Sequence, residues 1–288
     1  MKQLLILSGK GGTGKTTVAS AFIELSNCNA FADCDVDAPN LHVVVSEMRE
    51  PIKNDYYGFQ KAQIDSMKCV NCGLCEENCH FGAIKNGVVS TYECEGCGVC
   101  YEICPHKAIS MVDHSSGCTM LYKNQKKVFS TAQLKMGSGA SGKLVSAVKK
   151  QLLNEAQDKE LVIIDGSPGI GCPVIASISG VNMVLIVAEP TVSGIHDMKR
   201  IVKTAKNFGV SCAVCINKFD VNLLNTEEIE YYCNEIELPV IGKIPFDRIV
   251  IKAVNSCKSI VNFPDSIAAK AIVAIWKDIF KNYLQLDE

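Results

Sequence analysis

The stretch Gly9-Lys10-Gly11-Gly12-Thr13-Gly14-Lys15-Thr16 decides how the rest of this chain is read. It fits the pattern G-x-x-x-x-G-K-[ST] and stands where that pattern has physical meaning. Ahead of it lies the apolar run Gln3 to Leu7, suited to a buried parallel strand; behind it a helix is expected from Thr16 to Leu25. Glycines let backbone N–H groups turn inward around a phosphate, and the helix N-terminus adds a favourable field. Lys15 is placed to reach the β- and γ-phosphates of a nucleotide, and the Thr16 hydroxyl to ligate Mg²⁺. Gly9, Lys10, Gly11, Gly12, Thr13, Gly14 and Thr17 complete the expected nucleotide-binding loop.

Outward from the loop the chain alternates. Ala30 to Asp33 reads as a second strand ending in acids, and Gly137 to Gly142 opens a helix running to about Ala156. Strands follow at Leu161–Ile164, Met183–Ala188, Cys212–Ile216 and Val240–Ile244. Helices are expected from about Ile195 to Phe208 and from Thr226 to Ile236, the latter with Glu227 and Glu228 in its first turn. Pro264 opens a closing helix whose Ile272, Trp276, Ile279 and Tyr283 form one apolar stripe. Such alternation means an α/β fold with a mostly parallel sheet covered by helices on both faces. Asp165 ends an apolar strand and is followed by Gly166-Ser167-Pro168-Gly169-Ile170-Gly171-Cys172-Pro173, an acid on the Mg²⁺ side with a movable loop behind it. Asn217-Lys218-Phe219-Asp220 ends another strand; the Asn217 amide offers a donor and an acceptor to a purine edge.

One region breaks the rhythm. Of 16 cysteines, eight fall in two runs: Cys69-x2-Cys72-x2-Cys75-x3-Cys79 and Cys94-x2-Cys97-x2-Cys100-x3-Cys104-Pro105. Two copies of C-x2-C-x2-C-x3-C are the spacing of a bacterial two-cluster ferredoxin, in which the fourth cysteine of each run serves the other cluster. Cluster one is therefore assigned Cys69, Cys72, Cys75 and Cys104, and cluster two Cys79, Cys94, Cys97 and Cys100. Zinc suits C-x2-C pairs but not the doubled third and fourth cysteines. His80 stands after Cys79 where a proline follows Cys104, and it removes no ligand. Gly82-Ala83-Ile84 and Lys107-Ala108-Ile109 occupy equivalent places, which marks an internal duplication. The expected division is a P-loop nucleotide-binding domain of residues 1–55 and 119–288, interrupted by an α+β ferredoxin-like 2[4Fe-4S] domain at 56–118. Cys212-x2-Cys215 lies on a strand, where residues three apart face opposite sides, so both are read as core.

The second loop lysine, Lys10, adds a family resemblance. Lys10-Gly11-Gly12-Thr13-Gly14-Lys15-Thr16-Thr17 resembles the deviant phosphate loop of the MinD, ParA, Mrp and nitrogenase iron-protein superfamily of P-loop ATPases. Gly142-Lys143-Leu144-Val145, Gly169 to Pro173 and Glu189-Pro190-Thr191 extend the likeness. The resemblance implies ATP with Mg²⁺ as cofactor, a nucleotide-dependent homodimer, and a Lys10 that reaches across to the partner's nucleotide. It implies catalytic roles for Lys10, Lys15, Asp35 and Asp165, with Thr16, Asp35 and Asp165 around Mg²⁺. Asp35 matches the family's water-positioning acid by its offset from the strand end, and Asp37 is its rival. Asn217 and Lys218 fall at the base-reading position; the two loop lysines favour adenine, while N-K-x-D resembles the guanine-reading motif of GTPases. Cys172 stands at the offset of a cluster-ligating cysteine in the iron protein's second switch, with Cys118 as upstream companion for a third, intersubunit cluster; the alternative is a buried structural thiol.

Composition limits the function classes. Twenty-nine Lys and Arg against 31 Asp and Glu give a net charge of −2, which argues against nucleic acid as a partner. No apolar run approaches the roughly 20 residues of a bilayer span, and Leu4 to Leu7 is too short for a signal peptide. The chain is expected to be soluble and cytoplasmic, without stable membrane insertion. Two low-potential-type clusters beside a nucleotide switch suggest ATP-gated, ferredoxin-type electron transfer to a redox partner. Iron–sulfur cluster assembly or carriage to an accepting protein is the alternative that Mrp-like kinship suggests. A positioning ATPase with structural clusters is the third; a chain ending Leu286-Asp287-Glu288 lacks a strongly basic membrane-binding tail.

Overall fold

The computed structural model describes residues 1–41, 48 and 50–284. Strand β1 (Lys2–Leu7) leads through the phosphate loop into helix α1 (Lys15–Leu25), and β2 (Ala30–Asp33) follows. Next come β3 (Ile52–Tyr57), β4 (Lys61–Ile64), α2 (Leu74–Glu77), β5 (Ile84–Lys85), β6 (Val88–Val89), α3 (Val99–Ile103), β7 (Ile109–Val112) and β8 (Ser115–Lys123). The chain then resumes its alternation with β9 (Val128–Leu134), α4 (Ser141–Glu155), β10 (Leu161–Asp165), α5 (Cys172–Ile178), β11 (Met183–Ala188), α6 (Val192–Asn207), β12 (Ser211–Asn217), α7 (Leu223–Glu235), β13 (Val240–Ile244), α8 (Ile249–Asn255) and α9 (Ile267–Ile279).

Nine of these strands form one sheet in the order β13-β12-β11-β1-β10-β2-β9-β8-β3. From β13 to β9 every pair is parallel; β8 and β3 close the edge antiparallel. In β1, Leu5 and Leu7 enter one core with α4, α5, α6 and α7, while Leu4 and Ile6 enter the other with α1, α8 and α9. Burial on both faces is why β1 reads as a continuous apolar run. On the second face Trp276 packs on Phe22, with ring centroids 5.0 Å apart.

The cysteine-rich unit hangs from the antiparallel edge. Positions 56 and 118 lie inside strands, Tyr56 pairing with Gly117 and Tyr57 with Ser115, and residues 58–114 run outside the large sheet. Composition changes before the backbone leaves the sheet, because β3 is an exposed edge carrying Lys53 and Asp55, the usual protection of a sheet edge. Within the unit β4 pairs antiparallel with β7, and β5 with β6 around the Asn86-Gly87 turn.

Three helix starts depart from expectation. The Thr191 side chain accepts the Gly194 N–H, so α6 begins at Val192, ahead of Ile195. The Asn222 side chain accepts the Asn225 N–H, so α7 begins at Leu223 and Glu227 and Glu228 lie beyond its first turn. Ser266 accepts the Ala269 N–H, so α9 begins at Ile267 and Pro264 lies ahead of it. In all three, a side-chain cap sets the boundary. Ile272, Trp276 and Ile279 are buried as the stripe requires, and Tyr283 follows the helix, partly buried. Residues 286–288 lie outside the described residues.

Candidate functional site

The carboxyl ends of β1 and β10 bring the phosphate loop and Asp165 together. Lys15 Nζ lies 2.5 Å from Asp165 Oδ1, and Thr16 Oγ1 donates to Asp165 Oδ2 at 2.6 Å. Burial works to lower the Lys15 pKa, but the charge and hydrogen bond of Asp165 outweigh it and hold the ammonium above the usual lysine value. Gly14 is required here: its φ is +93°, and any Cβ would strike the Asn217 amide. Asn217 Nδ2 donates to the Thr13 carbonyl at 2.6 Å, which bolts the tip of β12 to the loop.

A cavity of about 810 Å³ opens over the loop, lined by Lys15, Thr16, Asp35, Asp37, Asn217 and Lys218 on its polar side. Asp35 is half-buried, and burial raises its pKa. Asp37 lines the same cavity, so both carboxylates stay within reach of a nucleotide there. The apolar side comes from Pro245, Phe246, Val250 and Val254, which the sequence reading did not single out. The signal was Asp220 of N-K-x-D, whose carboxylate accepts the Phe246 N–H at 2.7 Å and fixes that loop.

Two more acids were missed. Asp33, fully buried, accepts N–H groups from Asp35, Asn40 and Leu41 at 2.9–3.0 Å, so it shapes from beneath the loop that carries Asp35, the expected first switch. Burial, then the charge of Asp165, pushes its pKa up to about 7 against the pull of Lys15. Glu189 clamps two half-buried lysines: Lys10 Nζ lies 3.2 Å from it and also donates to Thr191 Oγ1, while Lys218 Nζ lies 3.0 Å away. Burial opposes ionisation of Glu189, but Lys218 and Lys10 hold its pKa below the usual carboxylate value. In this state Lys10 is tied within its own chain. The loop after Asp165, the expected second switch, is anchored too: Ser167 Oγ donates to the Cys34 carbonyl, and Lys149 Nζ donates to carbonyls of Ser177 and Ser179 at 2.6 and 2.5 Å, capping α5.

The inserted unit gathers its cysteines in two sets. Cys69, Cys72, Cys75 and Cys104 line one cavity of about 330 Å³. Cys79, Cys94, Cys97 and Cys100 line a second, tighter one. The Ala83 N–H donates to Cys79 Sγ and the Ala108 N–H to Cys104 Sγ, each at 3.3 Å, so the duplicated segments play the same part. Such N–H···S bonds favour a thiolate. No group of three or more His, Cys, Asp or Glu among the described residues could hold a single metal ion. The four corners of a cubane cluster stand farther apart than the ligands of one ion. Four thiols line each cavity, and four thiols are the donor set of an iron–sulfur group.

Other thiols sort differently. Cys28, Cys34, Cys215 and Cys233 are buried, and burial pushes the Cys34 and Cys215 thiols up to about 12. Cys212 and Cys215 pack into opposite cores, as their spacing on β12 requires. Cys172 is exposed at the start of α5, which corrects the buried-thiol alternative. Its proposed companion Cys118 shares a face of β8 with Tyr122, which packs into the α1–α9 core, whereas α5 packs into the opposite one. One chain cannot bring Cys118 and Cys172 to a common group, because a strand's side chains alternate between faces.

The two units meet at residues 137–143. Lys143 Nζ sits 4.1 Å from the centre of the Phe59 ring. Cβ atoms on Gly139 and Gly142 would stand 3.1 Å from Glu95 Oε2 and from Cys172. One glycine-rich segment thus touches both the second cysteine set and the second switch.

Residues 4–260 match the model of the CobQ/CobB/MinD/ParA nucleotide-binding domain. The chain belongs to that family. An uncharacterized protein of Methanocaldococcus jannaschii is 30% identical, over 92% of this chain and 93% of its own. The iron-sulfur cluster carrier protein of Pyrococcus furiosus is 25% identical, over 95% of this chain and 83% of its own. Among solved structures, the septum site-determining protein MinD of Pyrococcus horikoshii, complexed with Mg-ADP, has the same fold: TM-score 0.59, 18% identity, 97% of this chain and 96% of that one. As a member of this family the chain is a P-loop ATPase that hydrolyses ATP. Among the described residues no helix is long and apolar enough to cross a membrane.

Proposed function

We propose that this ATPase couples its nucleotide state to one-electron transfer through two 4Fe–4S clusters held by the inserted unit. Cys69, Cys72, Cys75 and Cys104 hold the first; Cys79, Cys94, Cys97 and Cys100 hold the second. The observation that carries the reading is the single segment 137–143, which leans on Glu95 and Phe59 of the cysteine unit and on Cys172 of the second switch. A switch that moves on ATP binding must move against that segment. Thr16, Asp165 and Asp35 hold Mg²⁺ and the attacking water, and Asn217 and Lys218 fix the loop at the base end. Lys10 leaves Glu189 to reach a second copy's nucleotide in an ATP-bound homodimer. The partner is a protein that accepts or donates one electron.

Cluster carriage is the second reading, favoured by the similarity to an iron-sulfur cluster carrier protein and by the exposure of Cys72 and Cys97. A positioning role, the third reading, draws on the match to the MinD/ParA family model and on likeness of fold. Linkage separates them: if nucleotide and electron are coupled, redox state must change ATP affinity by the factor by which ATP changes the cluster's reduction equilibrium. The test is nucleotide affinity of oxidised and reduced protein, beside cluster potentials with ADP and with a non-hydrolysable ATP analogue. Coupling predicts a shift in both. Equal affinities and equal potentials, with iron moving to an apo-acceptor, would establish carriage instead.

A further inference from the structure

Lys61 opens β4 and is only 4% exposed, rare for a lysine. Its ammonium donates to the carbonyl of Cys94, a member of the second cysteine set. Among the described residues it has no carboxylate partner. A charge buried without a counter-charge is costly, and carbonyl dipoles offset only part of that cost. The site therefore calls for an anion beside Cys94, and a thiolate-bound iron–sulfur group is one.

The duplication supplies an internal control. The two cysteine runs repeat with a shift of 25 residues, Cys69 to Cys94 through Cys79 to Cys104. The backbone repeats with them: Cys69 N–H donates to Asp65, Cys94 N–H to Ser90, and Gly73 and Gly98 share φ +79°. By the same shift Lys61 corresponds to Asn86, which lines the first cavity and is exposed and neutral. Ala62 rather than Lys61 lines the second cavity, so the ammonium stands behind the Cys94 backbone; the charges that line the cradles are exposed, Glu76 and His106 at the first and Glu95 at the second. Water screens those; it does not screen Lys61.

Resting on the two-cluster reading, we propose that Lys61 is the residue that sets the second cluster at a higher reduction potential than the first. Reduction adds one negative charge to a cluster, and a buried ammonium stabilises the added charge. One electron entering from a low-potential donor at the first cluster passes to the second; the first is reoxidised, the second reduced, and no bond or proton changes hands. It then resides on the cluster beside Glu95 and the 137–143 segment, next to the nucleotide switch. Lys61 is a positioning residue for charge and touches no substrate.

The test is an EPR-monitored redox titration of the iron-loaded full chain, with each wave assigned through Cys72→Ser and Cys97→Ser variants. In the unaltered protein the second cluster should be reduced first. Lys61→Gln keeps a donor for the Cys94 carbonyl and loses the charge. It should make the second cluster at least tenfold harder to reduce at fixed potential, about 59 mV for one electron, and leave the first unmoved. Lys61→Arg should restore the original value. A second cluster that is the lower of the two in the unaltered protein overturns the proposal, as does an unmoved second wave in a fully loaded Lys61→Gln variant. Should Lys61→Gln fail to load, the order of the two waves in the unaltered protein decides alone. Absence of iron and sulfide from the unaltered protein overturns the two-cluster reading itself, a result distinct from either.

Discussion

The phosphate loop and the cysteine unit are built on opposite plans. Around the loop the protein supplies its own counter-charges. Lys15 has Asp165, Lys10 and Lys218 share Glu189, and Asn217 holds the loop's backbone. The cradle is complete before a nucleotide arrives, beneath it a sheet buried on both faces. The cysteine unit has a buried core of Ala62, Ala83, Cys94 and Ile109 with a fringe of partly buried side chains. A core so small stabilises little by itself, and on the proposed reading the bound clusters would supply much of this unit's folding energy. A site closed by protein charges waits for its ligand; a site lined by thiols is finished by it.

Removal of metal should break the comparison most sharply. Anaerobically purified protein should carry about eight iron and eight sulfide per chain. Chelation under oxidising conditions should unfold residues 58–114, read as rapid amide exchange there, while β1, β10 and β11 stay protected. Cys97→Ser should cost the second cluster far more than the first. Two zinc ions without sulfide would refute the assignment.

Lys15→Ala comes next. It strands Asp165 in the core, and loss of one partner from a buried pair costs about 3–5 kcal/mol. Urea unfolding should register that loss, unless Asp165 takes up a proton, and nucleotide titration should show binding abolished.

A smaller effect is expected with pH. Asp33 has a folded pKa of about 7 against roughly 3.9 in an unfolded chain. Between those values the folded state binds more protons, so this group's stabilising contribution is complete below pH ~4 and is lost as pH rises through 7. In nucleotide-free protein, Asp33→Asn should flatten stability over that window. An unchanged slope would mean that Lys15 holds Asp33 ionised throughout.

Lys10→Ala should barely register in stability. Its partner Glu189 is only partly buried, and exposed pairs contribute about 0–1 kcal/mol. Nucleotide binding should be largely spared, with hydrolysis and ATP-dependent dimerisation lost. Equal damage to binding and hydrolysis would remove the cross-subunit role.

Much of both sites was legible because their chemistry is local. A phosphate loop is eight consecutive residues between a strand and a helix, and cluster ligands within one run must be close in sequence. Strand positions were legible too, since Ala30–Asp33, Met183–Ala188 and Val240–Ile244 are continuous runs bounded by turns. The edge of the inserted unit was less legible, because β3 is an exposed strand without an apolar pattern.

Sequence alone determined the α/β class, the loop chemistry and the grouping of eight cysteines into two sets of four, all consequences of spacing along the chain. Only the tertiary structure decided that Asp33 is buried beneath the first switch, that Glu189 binds two loop-side lysines and that Cys118 and Cys172 lie on opposite faces of the sheet. It also placed the charge of Lys61 against Cys94, which lies 33 residues away in the chain. Burial and charge pairing depend on which distant segments the sheet order brings together, and no local pattern encodes that order.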